Sequence, residues 1–86
     1  MLELQLFETS HCHLCEQAET ELVPLVELGV CQIELVDIAE DSALMATYAT
    51  RIPVLYHPTS GRSLDWPFNG HQLKNFLISI QSAQEN

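Results

Sequence analysis

Two cysteines three residues apart, in Cys12-His13-Leu14-Cys15, stand between a strand-like run and an amphipathic helix. That junction constrains the chain more than any other feature. Upstream, Leu2-Glu3-Leu4-Gln5-Leu6-Phe7 alternates apolar and polar residues as a half-buried strand does. Downstream, Leu14, Ala18, Leu22 and Leu25 recur at helical spacing, with Glu16, Glu19, Glu21 and Glu27 forming a solvated face. Residues i and i+3 of a helix share a face, so the two sulfurs can meet. A C-x-x-C after a strand and before a helix is the setting of dithiol redox chemistry.

The length of 86 residues sets one domain over residues 1–86. Such a domain buries roughly 60–65% of the surface its unfolded chain exposes. Twelve acids against Arg51, Arg62 and Lys74 give a formal net charge of −9. This surface repels phosphate backbones and anionic headgroups, which excludes nucleic acid and membrane as main partners. It would steer a basic protein partner toward itself. Glu3 stands where a signal peptide would be basic and then apolar, and no apolar run approaches membrane-spanning length. A cytoplasmic location is therefore expected, where three cysteines are not a permanent staple.

Residues 8–11 read as a short loop and residues 13–28 as a helix stopped by Gly29. Pro24 removes one helical hydrogen bond, so a kink or break is expected near Leu22 and Val23. Residues 30–38 alternate as a second strand, and Asp41-Ser42 caps a short helix carrying Leu44, Met45 and Tyr48. Ile52-Pro53-Val54-Leu55-Tyr56 is a third strand, Pro58-Thr59-Ser60-Gly61 a turn, and residues 62–66 a fourth strand. Asn69 with Gln72 opens a last helix on the stripe Leu73, Phe76, Leu77, Ile80, and residues 81–86 are expected to fray. The order is β-α-β-α-β-β-α. A right-handed parallel crossover followed by a hairpin then gives an α/β fold, a four-stranded mixed sheet with helices on both faces.

That order, with C-x-x-C opening the first helix and Ile52-Pro53 opening the third strand, resembles the thioredoxin fold in its short, glutaredoxin-type form. Thr9-Ser10-His11-Cys12-His13-Leu14-Cys15-Glu16-Gln17-Ala18 together with Arg51-Ile52-Pro53-Val54-Leu55 is similar to a family of small bacterial glutaredoxin-like proteins. The resemblance implies a thiol–disulfide oxidoreductase in which Cys12 is the nucleophile and Cys15 the resolving thiol. It also implies that Pro53 is a cis-proline facing them, and that Ile52 offers backbone groups to an extended substrate. The implied substrate is a disulfide-bearing protein or a glutathione mixed disulfide. No cofactor is required; glutathione would be co-substrate, and glutathione or a reductase the electron donor. The chain departs from the family's familiar patterns in having His13-Leu14 between the sulfurs and Thr9 where glutaredoxins usually carry a lysine. Against glutathione's negative charge, only Arg51, His11 and His13 offer local compensation.

The site residues expected are thus Cys12 and Cys15 for chemistry, with Arg51, Ile52, Pro53, His11, His13 and Leu14 around the substrate. Free N–H groups and the helix macrodipole favour negative charge at Cys12. His11 and His13 read equally as imidazolium partners of the thiolate and as polar residues flanking a turn. Leu14 would form an apolar patch by the sulfurs, and Arg51 reads as an anion contact or a solvated residue. His57 and His71 read as surface or cap-region residues, Cys31 as a buried small hydrophobe, and Trp66 and Phe68 as core or rim packing. Two other function classes remain: a non-catalytic binding module docking a basic protein, and a metal or iron–sulfur carrier using the cysteines with His11, His13 or Cys31.

Overall fold

Leu4, Leu6 and Phe7 decide the layering, because alternate residues of a strand point to opposite faces. A computed structural model describes residues 2–84, and its first strand, β1 (Leu2–Glu8), lies inside the sheet with a neighbour on each side. β2 (Cys31–Asp37) pairs with it in parallel, from Leu2 against Cys31 to Glu8 against Asp37. β3 (Val54–His57) pairs with it antiparallel, with Leu6 against Leu55 and Phe7 against Val54. β4 (Arg62–Asp65) completes the order β2-β1-β3-β4 as the hairpin partner of β3. The sheet is mixed, as expected.

Helix α1 (His13–Glu27) returns the chain from β1 to β2, and α3 (Gly70–Gln84) follows the hairpin. Leu4, Leu6 and Leu55 pack with Ala18 and Leu22 of α1 and with Leu73, Phe76, Leu77 and Ile80 of α3. The opposite parity, Phe7 and Val54, packs with Ile38 and with Leu44 and Tyr48 of the short helix α2 (Ser42–Tyr48). Two helices therefore cover one face and the third covers the other. Full burial of a leucine or phenylalanine contributes about 1.5–3 kcal/mol, so the two clusters are the main stabilising term.

Local chemistry sets the boundaries. The end of α1 is a Schellman turn: Gly29 takes φ +74°, its N–H donates to Val26 O at 3.0 Å, and Val30 N–H donates to Leu25 O at 3.0 Å. Asp41 Oδ1 caps α2 by accepting from Ala43 and Leu44 N–H. Asn69 and Gln72 form a reciprocal capping box at α3, at 2.9 and 3.0 Å.

Four expectations need correction. Helix α1 runs unbroken through Pro24, which lies on its exposed side near the C-terminus, where solvent can satisfy the one carbonyl that the proline leaves unpaired. His57 is buried at 2% exposure; its Nδ1 accepts from Ser60 N–H at 3.3 Å and lies 2.6 Å from Ser60 Oγ, so it organises the hairpin turn from inside. Helix α3 continues past Gln81 to Gln84; the rest of the expected fray, residues 85–86, lies outside the described residues. Glu19 is half-buried instead of standing on a wholly solvated face, and its charge acts on Glu8.

Candidate active site

The sheet pairing gathers three chain segments at one end. β1 finishes there and leads into residues 9–12, while the antiparallel β3 begins there after residues 51–53. β4 finishes there, with Asp65 opposite Val54. The cysteine loop and the Ile52-Pro53 loop, 37 residues or more apart in sequence, are thus brought to the same edge by the register of Phe7 with Val54.

His11 turns the loop with φ +59°, a left-handed conformation costly for a residue with a Cβ. Cys12 is the N-cap of α1 in extended conformation, and its sulfur accepts the Cys15 N–H at 3.1 Å. Ordinarily an oxygen side chain does this capping; here a sulfur takes the orphan donor. Cys12 and Cys15 are at disulfide distance, with Cα atoms 5.2 Å apart. They differ in access: Cys12 is half-buried, whereas Cys15 is 2% exposed. An attacking thiol must be reached by its substrate, and a resolving thiol need only reach its neighbour. Leu14 is 45% exposed between them. His13 turns outward, with Nδ1 3.8 Å from Glu16 Oε2, and His11 is exposed.

Across the end of the sheet, the Ile52–Pro53 peptide bond is cis and Pro53 is buried; its carbonyl accepts from Trp66 N–H at 3.1 Å. The N–H groups of Arg51 and Ile52 both donate to Tyr48 O, at 2.8 and 3.1 Å. The Ile52 N–H is therefore engaged within the chain and is not a free donor. Arg51 is held in a two-point ion pair with Asp65, Nε to Oδ2 at 3.0 Å and Nη2 to Oδ1 at 2.9 Å, and its guanidinium covers the Tyr48 ring at 4.8 Å. Trp66 and Phe68 pack edge to face at 5.0 Å, with Phe68 buried in the core.

Sequence reading missed Glu8. Its sequence context reads as the start of a loop, but Glu8 is the last residue of β1, and its Oε2 is buried without a hydrogen-bond donor. Burial, then the charge and hydrogen bonding of Glu19, then the charge of Asp37 push its carboxyl up from an ordinary 4.5 to about 7. The signal was present in the alternation: Leu4, Leu6 and Glu8 share a parity. Cys31 is a buried free thiol whose pKa is raised by burial. It pairs with Leu2 at the other end of β1, about 20 Å along the strand from Glu8, too far for exchange with Cys12. Among the described residues no group of three or more His, Cys, Asp or Glu side chains is arranged to hold a metal ion. No helix among them is long and apolar enough to cross a membrane.

A β-α-β-α-β-β-α chain with a half-buried and a buried cysteine at the start of its first helix is a thioredoxin-like fold carrying a dithiol pair. The family model of the glutaredoxin-like domain (DUF836) matches residues 3–78, and the chain belongs to that family. The crystal structure of the Northeast Structural Genomics target protein XcR50 from X. campestris is similar, with a TM-score of 0.76 and 38% identity over 88% of this chain and 96% of that one. The solution structure of the same target gives a TM-score of 0.73 at 38% identity, over 88% and 92% of the two chains. No curated protein matches the chain.

Proposed function

We propose that this protein is a thiol–disulfide oxidoreductase acting through Cys12 and Cys15. The carrying observation is the asymmetry of the pair: the reachable Cys12 sulfur receives a backbone N–H at the start of α1, while Cys15 is sealed beneath it. Thiolate is the attacking species in disulfide exchange, and the helix N-terminus favours negative charge at that sulfur. Cys12 thiolate attacks a substrate disulfide, forming a mixed disulfide and releasing one substrate thiolate. Cys15 then attacks the Cys12 sulfur, closes the Cys12–Cys15 disulfide and releases the second. Two electrons pass to the substrate, and glutathione or a reductase returns the protein to the dithiol form.

Substrate lies over Leu14 and along Ile52-Pro53, where the Ile52 carbonyl accepts a backbone N–H from an extended segment. Arg51 is already neutralised by Asp65, and the chain carries a net charge of −9. Both favour a disulfide within a basic or neutral protein over free glutathione as the main substrate. His11 and His13 border the approach to Cys12. A cytoplasmic setting, with its reduced thiol pool, suits a donor-regenerated dithiol.

Equilibrating the metal-free protein across a glutathione redox buffer, with thiol state read by intact mass and peptide mapping, tests this reading. A reversible Cys12–Cys15 disulfide between roughly −200 and −300 mV supports it. A pair that stays reduced throughout overturns it in favour of a docking module, whose partner binding Cys12→Ser would spare.

A further inference from the structure

Charge is divided unevenly along this chain. Residues 1–50 hold ten of the twelve acids and none of the lysines or arginines. They supply β1, α1, β2 and α2, whereas Arg51 precedes β3, Arg62 opens β4 and Lys74 lies on α3. In the order β2-β1-β3-β4, Arg62 stands on the strand farthest from β2, and Arg51 is held by Asp65. β2 is thus the acidic edge of the sheet, with Glu34 and Asp37 on the strand and Glu19 and Glu27 on the helix beside it.

The same edge carries an apolar groove. Ile33 and Leu35 have the parity of their register partners Leu4 and Leu6, and so face α1. Between β2 and α1 lies an open groove of about 260 Å³, with Leu6 and Leu22 as its floor and Val23, Val26, Ile33 and Leu35 as its walls. Val23, Val26 and Leu35 are exposed, and a contiguous apolar surface of this kind marks an interaction site. The volume falls below the roughly 300–1,000 Å³ of small-molecule sites, and the lining side chains are aliphatic apart from Glu19 and Glu27. Among the described residues β2 pairs with β1 alone, so its outer side presents unpaired N–H and C=O groups along the groove.

We propose that the β2 edge and its groove dock an extended segment of a basic protein, one in which Lys or Arg alternates with Val, Ile or Leu. Added as a fifth strand, the segment pairs its backbone with β2 and places apolar side chains of one parity in the groove. Its basic side chains then turn to the other face of the sheet. Glu34 stands there with Glu3, its Oε1 accepting from Gln5 Nε2 at 3.0 Å. A second copy of this chain is the poorer occupant. Two chains of net charge −9 repel, and a two-fold antiparallel pairing centred on β2 sets Glu34 against Glu34. The groove reaches Glu19, one helical turn from Cys15, so a docked segment is held beside the dithiol. Docking itself rests on the edge and its charge, not on the chemistry of Cys12 and Cys15.

The probe is a rhodamine-labelled octapeptide of alternating lysine and valine, free of cysteine so that binding is read apart from disulfide exchange. Fluorescence anisotropy gives its affinity, and amide hydrogen exchange gives its place on the full chain. Exchange is expected to slow within residues 32–36, and Kd to rise at least about 5-fold when salt goes from about 20 to 200 mM. Kd should rise by at least about 5-fold in Val26→Gln with Leu35→Gln, and again in Glu27→Gln with Glu34→Gln. All four residues are exposed, so the fold withstands these changes. A peptide of four lysines followed by four valines has the same charge without the alternation, and should bind at least about 5-fold more weakly. Equal binding of that peptide overturns the proposal, as does slowed exchange at residues 9–15 and 51–53 in place of β2, or no binding at all. Slowed exchange at residues 32–36 that grows with protein concentration alone gives the edge to a second copy and also overturns it. None of these results touches the dithiol reading, and a Cys12–Cys15 pair that stays reduced in glutathione buffer leaves the docking site standing.

Discussion

The Cys15 backbone N–H points at the Cys12 sulfur across 3.1 Å, so the residue proposed to resolve a mixed disulfide also donates a hydrogen bond to the sulfur proposed to form it. The arrangement is local to one helical turn. It needs no distant residue to bring the two sulfurs together, only the extended N-cap conformation of Cys12 and the helical turn that follows it.

Cys12→Ser is expected to lower exchange with a disulfide substrate by at least about 1,000-fold, because a hydroxyl is not ionised at neutral pH. Cys15→Ala should preserve the first attack and let the Cys12 mixed disulfide accumulate. Intact-mass analysis after mixing with substrate separates the two, and an accumulating adduct in Cys12→Ser would contradict the assignment.

Glu8 makes stability depend on pH in a defined direction. Its carboxyl is raised from 4.5 to about 7, so within that window the folded chain binds a proton that the unfolded chain has released. Stability contributed by the protonated form is present below about 4.5 and is lost as pH rises to about 7. Glu8→Gln should therefore be the more stable protein at pH 8, by on the order of 1 kcal/mol after allowing for solvent screening, and equal at pH 4. Urea unfolding at the two pH values checks this, and a larger gain at pH 4 would reverse the sign.

Leu6 is fully buried between the sheet and the two helices that cover this face. Leu6→Ala is expected to cost about 2–5 kcal/mol, a large share of the stability of so small a domain. A denaturation midpoint close to that of the unmodified chain would show that the site collapses around the missing methyls.

Asp41 holds two N–H groups of α2, and the carbonyl of Tyr48 in α2 holds the N–H groups of Arg51 and Ile52. Loss of the cap in Asp41→Ala should cost about 1 kcal/mol. It should also speed amide hydrogen exchange at Arg51 and Ile52. Exchange unaltered at those two amides would separate the cap from the Ile52-Pro53 loop.

Arg51 and Asp65 are 38% and 45% exposed, so solvent screens their ion pair and it adds little to stability. Its effect is on charge. Asp65→Asn frees the guanidinium and should raise the rate with a glutathione mixed disulfide about 2- to 5-fold, the modest effect of one solvent-screened charge. Steady-state assays with peptide and glutathione substrates compare the two; equal acceleration of both would show that Arg51 does not select for the anion.

Much of this architecture was legible because it is written in local patterns. Alternation at Leu2 to Phe7 marked the central strand, and helical spacing from Leu14 to Leu25 marked α1. Asp41, Asn69, Gln72 and Gly29 marked the ends of helices through caps that reach only three or four residues. The fold family came from a resemblance carried by the C-x-x-C, the Ile52-Pro53 pair and the element order, and the meeting of Cys12 with Cys15 from their helical spacing. Pro24 misled, because propensity assigns a cost to proline inside a helix without knowing that the lost hydrogen bond faces water.

What the sequence determined by itself was the element order, the two faces of the sheet and the dithiol at the head of a helix, all features set within about a turn or a strand of the residues concerned. Only the tertiary structure decided that His57 is buried against its own turn, that Arg51 is neutralised by Asp65, that Ile52 has its N–H engaged, and that Glu8 meets Glu19. Each joins groups whose approach depends on strand register, helix packing or the return of the chain through a turn, and whose charges and hydrogen bonds take their strength from a burial that no single segment creates alone.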